Sequence, residues 1–369
     1  MWRGTGVSTV AALLLSSCLL GCGGGEGWAP PAAFSGWMRV ADMSYPPAEH
    51  LAQRLPDGRV VAFTRGATSL QIYDPVADRW VTTAPAPTGL GRDTATVLAD
   101  GRVLVVGRRS SATDDDAAVY DPVTGLWTPT GPKVTAGVTD HTATLLPSGH
   151  VLVVGGTFRS QPDPSFPAVN VASGGAERYD PVTNLWYGAA PLRHGRQNHA
   201  AALMADGRVV VVGGYIQTVS LTDCCISVRT AEIYDPATDS WSQVAEPGPG
   251  GGGLETVALR DGRVLLGFRA FDTAYLVFDP AAGQWMDGAP LIGRFSARGC
   301  VNMPNGTVLM SSGQFVDRYD PAVNAWTRVS SEGIPRTRAS ATLLNSGALL
   351  ILGGAAEGAQ LNVAELFWP

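Results

Sequence analysis

Eight residues before each of seven turn glycines stand His50, Asp93, His141, His199, Leu254, Arg298 and Ala339. One residue earlier stand Glu49, Arg92, Asp140, Asn198, Gly253, Ala297 and Arg338. These columns hold the types that do chemistry: imidazoles that carry protons or ligate metals near neutral pH, and guanidinium groups that fork onto carboxylates and anionic sugars. Arg193, His194, Arg196, Arg294 and Arg336 lie in the segments leading into the same positions. The candidate ligand-binding set is therefore Arg92, Asp93, Asp140, His141, Arg196, His199, Arg298 and Arg338. The competing reading is local hydrogen bonding within each repeat, or plain solvation. A metal held by His50, His141 and His199 is a separate idea, and metal–ligand distances of about 2 Å leave little room for donors drawn from distant repeats.

The elements that must position these residues are legible as a period. Tyr73-Asp74-Pro75 is followed by Trp80, Tyr120-Asp121-Pro122 by Trp127, Tyr179-Asp180-Pro181 by Trp186, and Tyr234-Asp235-Pro236 by Trp241. Phe278-Asp279-Pro280 with Trp285 and Tyr319-Asp320-Pro321 with Trp326 complete six copies at one spacing. With a degenerate match at Phe367 the mean period is about 49 residues, the size of one four-stranded propeller blade. Asp-Pro opens a turn in each copy, proline presetting φ and aspartate accepting the following amides. The Tyr and Trp read as wedges between twisted sheets.

Ahead of each copy lies a two-residue hairpin turn: Asp57-Gly58, Asp100-Gly101, Ser148-Gly149, Asp206-Gly207, Asp261-Gly262, Asn305-Gly306 and Ser346-Gly347. The run after each turn, as in Val209-Val210-Val211-Val212, is apolar on both faces, as a strand sandwiched between neighbouring blades should be. The last repeat stops at Ala364-Glu365-Leu366-Phe367 without its Trp strand, while Trp37-Met38-Arg39-Val40 near the N-terminus has no Tyr-Asp-Pro ahead of it. The N-terminal strand is expected to close the last blade and remove the open sheet edge. The expected fold is all-β: a seven-bladed propeller of four-stranded blades over residues 32–369.

Composition agrees with this organisation. The chain has 369 residues with 45 Gly and 26 Pro, yet 45% are hydrophobic and only 16% charged. Such a chain is neither disordered nor built of long amphipathic helices. Its net charge is −6 and Lys133 is its only lysine, which disfavours nucleic acid as a partner.

The Gly-Gly, Tyr-Asp-Pro and spaced Trp elements together resemble the kelch-repeat superfamily, which includes the propeller of galactose oxidase. The double glycine is intact at Gly155-Gly156, Gly213-Gly214 and Gly353-Gly354 and degraded elsewhere, as at Gly107-Arg108. The resemblance implies the propeller fold. It does not imply an activity, because propellers host enzymes, carbohydrate binders and protein scaffolds alike. The oxidase's copper site uses a Tyr-His pair, and no Tyr-His dipeptide occurs here. No serine-nucleophile motif, phosphate loop or pair of catalytic carboxylates is recognisable, so no cofactor is implied.

Two loops, 157–176 and 215–230, exceed the others and are expected side by side on the mouth where the inner strands begin. Phe158, Arg159, Phe166 and Tyr215 are the candidate contacts there, since long loops on a rigid scaffold commonly carry recognition. Cys224-Cys225 lies in the second loop, either as a strained vicinal disulfide or as two thiols. Asp114-Asp115-Asp116 reads as a solvated loop tip, because it lacks the alternating oxygens and Gly of a calcium loop.

The N-terminus reads as an export segment. Arg3 precedes an apolar run over residues 7–20, which is of signal-peptide length and too short to span a bilayer. Leu19-Leu20-Gly21-Cys22 resembles the lipobox of bacterial lipoproteins, with Leu15-Ser16-Ser17-Cys18 as a weaker competitor. Residues 1–21 would then be removed, Cys22 lipidated, and 22–31 would form a tether. Simple secretion is the alternative. The overall expectation is an envelope-anchored, non-catalytic propeller that binds a protein or saccharide at one mouth. The runner-up is an exported kelch-type enzyme acting on a carbohydrate or related small molecule there.

Overall fold

The computed structural model describes residues 35–45, 50–64, 67–86, 91–108, 117–135, 138–160, 169–216, 226–247, 255–267, 275–290, 292, 299–312 and 314–369. Over these residues seven four-stranded antiparallel sheets form the blades of a propeller. The first blade runs His50–Arg54, Val60–Thr64, Leu70–Asp74 and Arg79–Thr82 in simple meander order, and the next five repeat it. The seventh combines Ser340–Leu343, Leu349–Leu352 and Ala364–Trp368 with Gly36–Arg39 as its outermost strand. Trp37 pairs with Phe367 and Arg39 with Glu365, so the ring is closed by the two ends of the chain, as the repeat arithmetic predicts.

The second strand of each blade is the apolar heart of the fold. Val151–Val154, Val209–Val212 and Leu349–Leu352 are buried at every position. Each core cluster spans two neighbouring blades, as where Val60 and Tyr73 of the first meet Leu350 and Leu366 of the last. At about 1.5–3 kcal/mol for each fully buried aliphatic side chain, this sheet-to-sheet packing is the main stabilising contribution.

The aromatic pairs do more than fill space. Tyr and Trp rings of one blade lie with centroids 5.0–5.1 Å apart, as in Tyr73–Trp80 and Tyr179–Trp186. Four of the Trp also reach back to a carbonyl in the connection from the preceding blade: Trp80 Nε1 donates to Ala41 O, Trp127 to Ala84 O, Trp241 to Ala190 O and Trp285 to Ala245 O. Each repeat Tyr except Tyr120 donates its hydroxyl to a residue five positions on, namely Asp78, Asn184, Asp239 or Asn324. Those four residues sit at positive φ, a backbone state that Asp and Asn tolerate. In the two remaining repeats the position is Gly125 or Gly283. Burial pushes the Tyr179 phenol up to about 12, so it stays a neutral donor.

The Asp-Pro turns behave as the sequence requires. Asp74, Asp121, Asp180 and Asp235 each accept the amide two residues on, at 2.8–2.9 Å. Because strands alternate in direction, these turns and the Asp-Gly hairpins lie on one face of the ring. The connections between blades, and those between second and third strands, lie on the other.

Candidate functional site

The face bearing the inter-blade connections carries the polar columns. Asp140, Asn198 and Arg338, equivalent positions in blades 3, 4 and 7, all adopt the left-handed conformation, with φ of 60°, 51° and 59°. This kink ends the connection and starts the inner strand. The Asp140 carbonyl accepts Asn198 N–H at 3.0 Å, linking neighbouring blades at the rim. Asn198 and Arg338 are exposed and Asp140 is half-buried, so these three present polar groups at the mouth.

The next residue in these three blades turns inward. His141 and His199 are each 6% exposed. His141 Nε2 lies 2.9 Å from Thr94 Oγ1 of blade 2, and His199 Nε2 lies 2.8 Å from Thr142 Oγ1 of blade 3. These imidazoles stitch adjacent inner strands together. Burial first, and the Arg196 charge second, push the His199 pKa down to about 3. The folded protein therefore holds His199 neutral while the unfolded chain protonates it below about 6.5. Stability from this group is complete above that value and is lost as pH falls. Between pH 7 and pH 5 the loss is expected to be about 2 kcal/mol, read as the difference in urea unfolding between wild type and His199→Gln. An identical pH profile for the two proteins would remove the assignment.

Arg196 is not at the rim. It is fully buried, donating through Nη1 to Thr230 O at 2.8 Å and Gly213 O at 3.2 Å, and through Nη2 to Glu232 Oε1 at 2.5 Å. Arg336 repeats the arrangement in blade 7, donating to Gly353 O, Val363 O and Glu365. Both arginines belong to the wall of the blade, and the expectation that they serve an approaching ligand is corrected. Their neighbours explain why they are there. Glu177, Glu232 and Glu365, together with Gln71, occupy one position of the third strand, and each also accepts a backbone amide from the preceding connection: Val134, Arg193, Ile334 and Ser44 respectively. Lys133, 2.9 Å from Glu177 in blade 3, supplies the cation from a different position. Spacing in the sequence brings Arg196 near the columns, and only the carboxylate 36 residues later shows where its guanidinium goes.

The double glycines turn the chain onto short hairpins over the same mouth. In blades 3, 4 and 7 these are Thr157–Ser160 with Val169–Ala172, Tyr215–Ile216 with Ile226–Ser227, and Ala355–Ala356 with Ala359–Gln360. Bridges Thr139–Thr157, Gln197–Tyr215 and Thr337–Ala355 fasten each hairpin to the residue just before the left-handed kink. The first two hairpins lie side by side, as the loop lengths suggest. The third is shorter and is not apparent from loop length; the intact Gly353-Gly354 is its signal. Phe158 pairs with Val171 and Tyr215 with Ser227, both half-buried.

Arg92 and Asp93 lie in the strand Gly91–Val97, beside a register shift, with side chains outside the described ones, as are those of His50 and Arg159. Arg298, Phe166, Cys22, Cys224 and Cys225 lie outside the described residues. Among the described residues no three His, Cys, Asp or Glu side chains approach closely enough to share a metal ion. With the Nε2 atoms of His141 and His199 engaged by threonines, that donor set does not suit a metal centre.

Sheet order, kinked column and hairpins together define a seven-bladed propeller, and residues 198–248 match the Kelch motif. Kelch-like protein 25 of Xenopus tropicalis is 29% identical over 252 residues, covering 62% of this chain and 39% of that protein. Kelch-like protein 23 of Homo sapiens is 24% identical over 277 residues, covering 72% and 46%. The chain thus spans less than half the length of these relatives. Kelch-like protein terF of Aspergillus terreus is 25% identical over 300 residues, covering 73% and 61%. Among solved structures, a fungal alcohol oxidase in complex with copper superposes with a TM-score of 0.67 at 16% identity, covering 91% of this chain and 76% of that one. YjhT superposes with a TM-score of 0.56 at 16% identity, covering 78% and 97%. At such identity these two matches speak to the fold alone.

Proposed function

We propose that this chain is a non-catalytic binding module that presents the hairpin-bearing mouth of the ring to a protein partner at the cell envelope. The observation that carries the reading is Arg338. It is exposed and left-handed, at a position where the other two described non-glycine residues of that conformation are Asp140 and Asn198. An arginine there costs about 1 kcal/mol or more of backbone strain, and such strain at a rim is retained where the side chain has a task. A mouth bearing both signs of charge beside half-buried aromatics, Phe158 and Tyr215, suits the polar rim and aromatic contacts of a transient protein interface.

Export and anchoring through Cys22 form part of the proposal and rest on the lipobox-like Leu19-Leu20-Gly21-Cys22. The test is a cross-linking pull-down from the native envelope, followed in membrane and soluble fractions. Arg338→Gly is expected to raise stability by about 0.5–1 kcal/mol, because glycine relieves the positive φ, and at the same time to lose capture. Undiminished capture would sink the mouth reading. Recovery of a glycan in place of a protein would redirect it to a saccharide ligand. Cys22→Ser is expected to move the protein out of the membrane fraction, and an unchanged distribution would remove the lipid anchor.

A further inference from the structure

On the opposite face, arginines latch neighbouring blades. Arg59, just after the Asp57-Gly58 turn, holds Asp57 through Nε and donates through Nη2 to Pro122 O of the next blade at 3.0 Å. Arg102 does the same with Asp100 and Pro181 O, and Arg263 with Asp261 and Pro321 O. Each guanidinium thus fills the groove between its own hairpin and the Asp-Pro turn of the following blade. At the seam between blades 7 and 1 the equivalent residue is Ala348, and Ser346 replaces the aspartate. There a groove of about 310 Å³ remains, lined by Asp74, Pro75, Ser346, Trp368 and the Asp57–Arg59 ion pair among others.

We infer that this seam groove is a docking site for an arginine side chain of a partner protein. It lacks the hairpin aspartate of the three occupied grooves and keeps the Asp-Pro turn whose carbonyl accepts the guanidinium in each of them. The Pro75 carbonyl, counterpart of the three that accept an arginine, receives no such donor among the described residues. Asp74 Oδ1 accepts the amides of Val76 and Ala77, and its Oδ2 has no partner among the described residues. Trp368 lines the same groove. Arg59 is no competitor, being paired with Asp57 and turned toward Pro122. The groove of about 260 Å³ between blades 4 and 5 is a poorer candidate, because Arg208, held by Asp206, already places a cation in it. This site lies on the face opposite the mouth, and its failure would leave the mouth reading untouched.

The test titrates the full chain with a capped Gly-Arg-Gly peptide and its citrulline and lysine counterparts, following the Trp368 indole N–H by NMR. Saturable binding of the arginine peptide is expected, at least about tenfold tighter than citrulline, which lacks the charge and the paired donors. Ala348→Arg, a substitution at a fully buried position, is expected to abolish binding by filling the groove from within. Asp74→Asn, which keeps the turn acceptor, is expected to weaken binding about tenfold, and decides the matter should Ala348→Arg fail to fold. Equal binding of the three peptides, no binding at all, or binding indifferent to Asp74→Asn would overturn the assignment.

Discussion

Replacing Arg196 with Met is expected to cost about 3–5 kcal/mol of folding stability, because it strands Glu232 in the blade interior without its cation. Arg196 is fully buried and Glu232 is 1% exposed, so water cannot take over. Five donations from one guanidinium hold the His194, Gly213 and Thr230 carbonyls, the Thr230 hydroxyl and Glu232. Burial pushes the arginine pKa down and Glu232 opposes that, so the partner carboxylate offsets part of the cost of burying the charge. The check is urea unfolding of Arg196→Met, Glu232→Met and the double variant. The double variant is expected to be milder than the two single losses added together, since removing both charges leaves neither uncompensated. A loss under about 1 kcal/mol for Arg196→Met would mean that the pair behaves as a surface salt bridge. Arg336 and Glu365 offer an independent repeat of the measurement in the blade that closes the ring.

Gly214→Ala is expected to be comparably damaging, at about 3 kcal/mol or more, for two separable reasons. Its φ is +93°, and a Cβ there would lie 2.5 Å from Gln197 O and 3.0 Å from His199 Cβ. The carbonyl is fixed by the bridge to Tyr215, so it cannot step aside cheaply. Gly306→Ala isolates the backbone contribution, since Gly306 has φ of +87° and nothing within 4 Å of the added carbon. That variant is expected to lose about 1–2 kcal/mol. Equal losses at the two positions would show that close approach contributes nothing, and that the double glycine serves only the turn. A much larger loss at Gly214 would tie the motif to the hairpin over the mouth.

Local and long-range determinants separate clearly in this chain. The Tyr-to-Trp spacing, the hairpin turns and the missing last strand are local patterns repeated along the chain, and each copy confirms the others. The left-handed Asp or Asn five residues after Tyr is equally local, in Tyr73 with Asp78 and in Tyr234 with Asp239. Treating the tyrosine only as an aromatic wedge misses it, because the partner belongs to the hydroxyl and not to the ring. The buried glutamates are different. Glu177, Glu232 and Glu365 stand in an otherwise apolar strand, and their meaning depends on amides and cations contributed by a connection dozens of residues earlier.

Arg196 and Arg338 show the limit most directly. Both lie within three residues of the same column in their own repeats, and by type and spacing they are interchangeable candidates. By itself the sequence determined the all-β class, the number of blades and the way the ends join, because hydrophobic period, turn chemistry and aromatic spacing are carried by neighbouring residues. Tertiary structure decided which polar residues face solvent. Arg196 is drawn inside by Glu232 across the blade, while Arg338 stands exposed on a kinked backbone, and a side chain's direction is set by partners that only the closed ring brings within reach.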